Sequence, residues 1–149
     1  MNTKRLSKIG GAWWLAGLLS VGGFGTAYAH HVIVDTNYVL KNKDKPGVVL
    51  VDARAASAYK KGLIPGATVL GEKAGQVALR DVDSRVLPVK KLEKILGEAG
   101  ITRENEIIVY GTKGDTGPDV VFWILEYLGA GKAKVYHGGF DDWTAGKHP

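Results

Sequence analysis

The segment EIIVYGTKGDTGPDVVFW, residues 106–123, joins an apolar run to a glycine-rich loop and the start of a helix. The loop places three glycines in the seven residues from Gly111 to Gly117, directly before Pro118. Backbone N–H groups of such a loop can converge on one point, beside the positive end of the following helix dipole. The sequence therefore predicts a site here for an anion or a thiolate-derived group.

The side chains of this loop also have simpler structural roles. Lys113 could draw an anion to the loop, although an exposed loop lysine is usually just solvated. Asp115 and Thr116 are typical N-cap residues for a helix that begins at Pro118. Asp115 also brings a negative charge near the converging amides, which argues against tight anion binding. The candidate anion- or ligand-binding loop comprises Gly111, Thr112, Lys113, Gly114, Asp115, Thr116 and Gly117.

Two charged residues, Asp52 and Arg54, follow the apolar run GVVLVD. In the simpler interpretation they cap the next helix and pair with each other. In the functional interpretation they support the loop after Tyr110. His137, which precedes two glycines, is interpreted as a turn residue rather than a base, because the sequence offers no nucleophile for it to activate.

Metal binding is weakly indicated. His30 and His31 are adjacent, and imidazole nitrogens suit copper-like ions, but two ligands without a third make a poor site. Elsewhere Asp, Glu and His show no spacing that resembles a closed metal site. We therefore expect no metal and no cofactor.

The rest of the chain predicts the elements that position the loop. Five β-branched apolar runs read as strands, at 31–34, 47–52, 67–70, 106–110 and 133–136. Helix signals lie between them, at 35–42, 55–62, 88–100 and about 118–128. This alternation predicts an α/β domain with a five-stranded, mainly parallel sheet and helices on both faces. In such sheets ligands bind beyond the carboxyl ends of the strands, where this loop lies.

Three further features bear on the fold. The helix at 118–128 is apolar nearly all round, which predicts burial on most sides. Residues 71–87 are expected to form a long loop with a short turn of helix. Because no repeat or internal linker appears, residues 30–149 are predicted to be one domain.

Residues 1–29 have the three parts of a secretory signal peptide. A basic start precedes an apolar stretch, and residues 27–29 form an A-x-A cleavage pattern. We expect cleavage near Ala29 and a periplasmic or secreted protein that begins at His30. The alternative is an uncleaved membrane anchor, because residues 9–29 approach the ~20 apolar residues that a spanning helix needs.

Composition limits the partners. The formal net charge is +5, but three basic and no acidic side chains lie in residues 1–29, so the positive excess belongs largely to that segment. We therefore expect no nucleic-acid partner. The chain contains no Cys, so an exported form would have neither a disulfide nor a reactive thiol.

Three segments together resemble the rhodanese-like (sulfurtransferase homology) domain family. VVLVDARAASAYKKGLIPGATVL, residues 48–70, is similar to the first family signature. IIVYGTKGDTG resembles the strand and active-site loop, and AKVYHGGFDDWTAGKHP the closing strand and Trp-bearing helix. The likeness covers residues 31–149 and is nearer to the Cys-less N-terminal module of tandem thiosulfate/3-mercaptopyruvate sulfurtransferases than to compact single-domain versions.

The resemblance implies both a chemistry and its loss. Rhodanese-like enzymes carry a sulfane sulfur as a persulfide on a Cys at the first loop position, and Gly111 matches that position. Leu63 stands where a His is common, and Ala58 where an acidic residue often precedes the aromatic Tyr59. Because no other Cys can substitute, the expectation leans away from an enzyme.

Three functions remain open from the sequence. In the first, which we expect, an exported and catalytically silent module binds an oxyanion, a sulfur compound or a protein. In the second, the chain is the non-catalytic half of a sulfurtransferase whose Cys-bearing module is on another chain or missing from this one. In the third, it is a structural domain without a ligand. The expected partner is a Cys-bearing rhodanese module or another exported protein.

Overall fold

The computed structural model describes residues 31–70 and 75–148. The predicted signal peptide, its cleavage site near Ala29 and the possible ligand His30 lie outside these residues. Within them, none of the helices has the length and apolar character needed to cross a membrane.

The five predicted strands form one sheet in which every pairing between strands is parallel. The strands are β1 (Ile33–Val34), β2 (Val48–Asp52), β3 (Thr68–Val69), β4 (Glu106–Tyr110) and β5 (Ala133–Tyr136). Their spatial order is β1-β5-β4-β2-β3, so β4 lies at the centre. The predicted α/β class and five-stranded sheet are confirmed.

Helical segments connect the strands in the described residues. The α-helices are α1 (Thr36–Asn42), α2 (Val89–Glu98), α3 (Gly117–Tyr127) and α4 (Gly139–Ala145). Asp35 caps α1, because its carboxylate accepts the Tyr38 N–H at 2.8 Å. The helix expected at 55–62 is instead a 3-10 helix, Ala56–Lys61, which ends at Gly62 with a φ of +99°.

Helices cover both faces of the sheet. Successive residues of a strand point to opposite sides, so each central strand contributes side chains to both faces. Val51 and Val109 belong to one buried cluster, with side chains of α2 and α3. Leu50 and Ile108 belong to the other, with side chains of α1 and α4. The central strands β2 and β4 are thus apolar on both sides, which explains their near-continuous hydrophobic runs.

Helix α3 departs from its predicted burial. Val121, Ile124 and Leu125 are buried against the sheet. Trp123 and Tyr127, however, are 58% and 61% exposed. The prediction of burial on most sides was wrong for this face, because α3 forms an outer layer of the domain.

The described part of the segment 71–87 begins at Gly75. A 3-10 helix, Gly75–Leu79, supplies the short helical turn expected there. Arg80 and Val86 then form an isolated antiparallel bridge. Leu79 is fully buried, which ties this segment to the core beside α2 and α3.

Candidate functional site

The loop Gly111–Gly117 connects the carboxyl end of β4 to α3, where the sequence placed it. Gly111 and Gly117 are buried, whereas the five residues between them are exposed. The loop borders a small cavity of about 120 Å³, whose other wall includes Tyr136 and His137 at the end of β5. A cavity of this volume has room for only a few water molecules.

Gly111 has no room for a side chain. A Cβ atom built there would lie 2.6 Å from Cγ and 2.9 Å from Cδ of Pro118, and real Cβ contacts essentially never fall below 3.0 Å. Pro118 belongs to the first turn of α3, where its fixed φ favours the helix. The position that carries Cys in the family is therefore closed by the proline ring.

Three loop amides donate to acceptors of the protein itself. The N–H of Lys113 donates to Oδ2 of Asp141 at 2.7 Å. The N–H of Asp115 donates to the Thr112 carbonyl at 3.0 Å. The N–H of Gly117 donates to Oδ1 of Asp115, also at 3.0 Å. These amides are therefore not available to an external anion unless an internal acceptor is displaced.

The two predicted N-cap residues behave differently. Asp115 satisfies the first amide of α3, as expected of a cap. Thr116 occupies the N-cap position but makes no side-chain cap bond, so that expectation was wrong. Its backbone is already helical, with φ −85° and ψ −5°, whereas a capping side chain normally sits on an extended backbone.

Lys113 is ion-paired rather than simply solvated. Its Nζ lies 3.0 Å from Oδ1 of Asp142, although 57% of the lysine side chain remains exposed. A surface pair of this kind contributes about 0–1 kcal/mol. Together with the Asp141 acceptor, it attaches the loop to the first turn of α4.

The contact of α4 with the loop was not predicted from the sequence. The Phe140 N–H donates to the Gly111 carbonyl at 2.8 Å, and a Cβ atom at Gly139 would collide with the same carbonyl. Gly139 is therefore required for the close approach of the two segments. The consecutive acids Asp141 and Asp142 after Gly-Gly were the available signal.

Asp52 and Arg54 form a buried ion pair, with 0% and 3% exposure. The guanidinium donates from Nη2 to Oδ2 at 2.6 Å and from Nε to both carboxylate oxygens at 3.0 Å. Burial alone lowers the pKa of Arg54, but the hydrogen bonds and charge of Asp52 outweigh it and raise that pKa. The Arg54 guanidinium therefore stays charged at any physiological pH.

The predicted pairing of these residues is present, but the predicted capping is different. Arg54 Nη2 donates to the Gly62 carbonyl at 2.7 Å, so it closes the carboxyl end of the 3-10 helix. The start of that helix, at Ala55, has no side-chain cap.

A chain of contacts connects this ion pair to the loop. The guanidinium carbon of Arg54 lies 3.9 Å from the centre of the Phe140 ring and 5.7 Å from that of Tyr110. Both distances are within range of a cation–π interaction. The Phe140 N–H in turn donates to the Gly111 carbonyl, so Phe140 links Arg54 to the loop.

Tyr110 lies below the loop as a neutral group. Its hydroxyl accepts the Ile64 N–H at 3.1 Å, and the residue is fully buried. Burial, reinforced by the charge of Asp52, raises the pKa of Tyr110 far above its ordinary value. This phenol therefore does not act as a base near neutral pH.

The two remaining histidine candidates are peripheral. His137 is exposed, and its backbone N–H donates to the Val34 carbonyl at 3.1 Å, which fits a turn residue. His31 is exposed beside β1. In residues 31–70 and 75–148 no group of three His, Cys, Asp or Glu side chains could hold a metal ion. Since His30 lies outside this part, metal binding by the terminal pair stays untested.

These features define a class of protein: an α/β domain with a parallel five-stranded sheet and a glycine-rich loop at the carboxyl end of its central strand. The model of the rhodanese-like domain matches residues 35–146. The chain belongs to the rhodanese-like domain family.

Curated relatives agree with this assignment. The chain is 30% identical over 104 residues to a thiosulfate sulfurtransferase of Azotobacter vinelandii, covering 70% of this chain and 38% of that enzyme. It is 28% identical over 115 residues to the thiosulfate sulfurtransferase of Pseudomonas aeruginosa, covering 76% and 42%. The chain thus spans well under half the length of these relatives.

A solved structure shows the same fold. The anaerobic ergothioneine biosynthesis enzyme from Chlorobium limicola, in complex with trimethyl histidine, superposes with a TM-score of 0.68. The match covers 78% of this chain and 31% of that enzyme, at 21% identity. The likeness concerns the fold alone.

Proposed function

We propose that this chain is an exported, catalytically silent rhodanese module that works by binding a protein partner through the loop Gly111–Gly117. The observation that carries the proposal is the closed position at Gly111. Sulfur transfer needs a thiolate nucleophile, and the chain has no Cys. The Pro118 ring lies where a side chain at Gly111 would begin. The loop therefore lacks both the nucleophile and the space for its side chain.

A protein partner is favoured over a small oxyanion by the electrostatics of the loop. Three carboxylates contact the loop: Asp141 accepts from the Lys113 amide, Asp115 from the Gly117 amide, and Asp142 pairs with the Lys113 ammonium. A sulfate-like ion would have to displace the Asp141 carboxylate from the Lys113 amide and approach the other two acids. A protein, by contrast, can contact the exposed surface of residues 112–116 without displacing these carboxylates.

Photocrosslinking would test the loop as the contact surface. A photoreactive amino acid at Thr112, introduced in the cells that make this protein, should give a discrete crosslinked partner. The matched control is Thr102, which is also exposed but follows α2 at the other end of the sheet. Equal crosslinking at both positions, or none at Thr112, would contradict the proposal.

Export rests on the signal-peptide pattern in residues 1–29. The proposal predicts that the protein is recovered outside the cytoplasm with His30 as its first residue. Intact mass measurement of the purified protein checks this. A full-length mass in a membrane fraction would support the uncleaved anchor instead.

A second candidate is the non-catalytic half of a sulfurtransferase that completes its cleft with a Cys-bearing module. It is favoured by the relatives, since the match covers only 38% to 42% of two thiosulfate sulfurtransferases. In this case, adding the chain to the separately expressed unmatched part of the Azotobacter vinelandii enzyme should raise its thiosulfate turnover. A Thr112→Arg variant should raise it less, and no effect of either protein would reject this candidate.

A further inference from the structure

Helix α3 presents an aromatic pair to solvent on the side away from the sheet. The rings of Trp123 and Tyr127 are stacked, with centroids 5.8 Å apart and planes within 9° of each other. They are the only aromatic side chains among the large, strongly exposed apolar residues of 31–70 and 75–148. Exposed Trp and Tyr are typical of protein interaction surfaces, where such rings contribute much of the binding energy.

The same face carries negative charge. Asp119 and Glu126 are exposed and lie at helical spacing from Trp123, four residues before it and three after it. Neither carboxylate forms an ion pair with another described residue. Helix α3 contains no Lys or Arg to balance them. We call these four residues, Asp119, Trp123, Glu126 and Tyr127, the acidic-aromatic face.

We propose that the acidic-aromatic face docks an arginine-bearing segment of a partner protein. Arginine fits both halves of the face: its planar guanidinium stacks on aromatic rings and pairs with carboxylates. A lysine would gain the charge attraction but not the stacking, and an acidic segment would be repelled. The inference does not depend on the loop Gly111–Gly117, because the face lies along the helix and would exist whatever the loop binds.

The test uses the full chain and short peptides followed by NMR. The probe is acetyl-Arg-Leu-Arg-amide, with the Lys and Glu analogues as comparators, and the readout is the indole N–H of Trp123, assigned with Trp123→Phe. The arginine peptide should give a saturable shift that weakens as salt is added, because exposed ion pairs are screened. The lysine peptide should bind at least about threefold more weakly, and the glutamate peptide should give no saturable shift.

Variants separate the two halves of the face. Asp119→Asn with Glu126→Gln should weaken arginine-peptide binding at least about threefold and flatten its salt dependence. The matched control, Asp44→Asn with Glu98→Gln, removes the same charge from side chains that are 77% and 65% exposed elsewhere, and should leave binding unchanged. Trp123→Ala, at a largely exposed position, should keep the thermal midpoint but abolish binding, read from the Tyr127 ring signals.

Three outcomes would overturn the proposal. One is no saturable shift with the arginine peptide. Another is an equal response to the glutamate peptide. The third is concentration-dependent self-association in sedimentation velocity that Trp123→Ala removes, which would assign the face to a second copy of this chain.

Discussion

A Cβ atom at Gly111 would lie 2.6 Å from Cγ of Pro118, so these two residues compete for the same space. Family members that transfer sulfur need a Cys at the first position of the loop. In this chain the first turn of α3 packs against that position. A Cys placed at Gly111 without relieving this contact should therefore not restore sulfur transfer.

The Gly111→Cys variant alone should therefore be less stable and take up little sulfur, and a second substitution should improve both properties. The single variant is expected to lose about 1–3 kcal/mol of unfolding free energy, the usual result of overpacking, and to take up little sulfur from thiosulfate. Adding Pro118→Ala should recover stability and raise persulfide formation, because the ring no longer blocks the thiolate. Urea unfolding and intact mass measurement check these two effects.

The control for this pair is Gly131→Cys, since nothing lies within 4 Å of a Cβ atom at that exposed glycine. It should be as stable as the wild type and report the background reactivity of a cysteine outside the site. Equal sulfur loading in the single variant, the double variant and the control would mean that Pro118 has no part in closing the loop.

Removing Arg54 should destabilise the fold strongly. Arg54→Met leaves the fully buried carboxylate of Asp52 without its partner, and breaking one side of a buried pair costs about 3–5 kcal/mol. Arg85→Met is the matched control, because Arg85 is 72% exposed and pairs with acids at the surface. Its cost should stay below about 1 kcal/mol. Similar losses in both variants, measured by urea unfolding, would show that the Asp52–Arg54 pair has no special structural role.

Asp141→Ala should make the loop a better anion site. The substitution frees the Lys113 N–H and removes one of the carboxylates that surround it. Titration with thiosulfate, followed at the amide of Lys113, should then give a larger saturable shift than in the wild type. Asp44→Ala, at an exposed acid that contacts Lys43 instead, should not change the wild-type response. An unchanged response of Asp141→Ala would show that this carboxylate does not hold the amide against external anions.

Alkaline pH should reduce stability in a defined window. Burial, helped by the hydrogen bond to Glu106, raises the pKa of Tyr38 to about 12, and burial raises the pKa of Tyr59 to about 12. The folded chain therefore keeps these protons at a pH where the unfolded chain has lost them. Stability contributed by both groups is complete below about pH 10, where unfolded tyrosine titrates, and is lost as the pH rises towards 12.

Urea unfolding across this range, with phenolate absorbance, measures the effect. Tyr38→Phe with Tyr59→Phe should make the decline less steep but not remove it, because the pKa values of Tyr110 and Tyr136 are raised by burial as well. A phenolate titration of the folded chain that coincides with that of the urea-unfolded chain over its whole range would contradict this account.

Local pattern was enough to predict the sheet, because β-branched runs between turn residues leave few alternatives. The lengths of the two edge strands were overestimated, because β1 and β3 contain two residues each where runs of four were expected. Each of these strands pairs with one neighbour only, so fewer hydrogen bonds extend its ends. The central strands β2 and β4, paired on both sides, lie within one residue of the predicted limits.

The site was predicted less completely, for a reason of geometry. The pairing of Asp52 with Arg54 is local and could be expected from the sequence. The hydrogen bond from Lys113 to Asp141 joins residues 28 positions apart, and the approach of Pro118 to Gly111 depends on the angle at which α3 leaves the loop. Neither follows from residue types, and the sequence predicted an open anion site where the structure places internal acceptors.

The most direct test of the central claim is the transfer of sulfur from thiosulfate to cyanide by the purified wild-type chain, with intact mass measured during the reaction. We predict thiocyanate formation at the uncatalysed rate and no added sulfur atom on the protein. Turnover that persists through repeated purification, together with a stable sulfur adduct on the wild-type chain, would contradict the account.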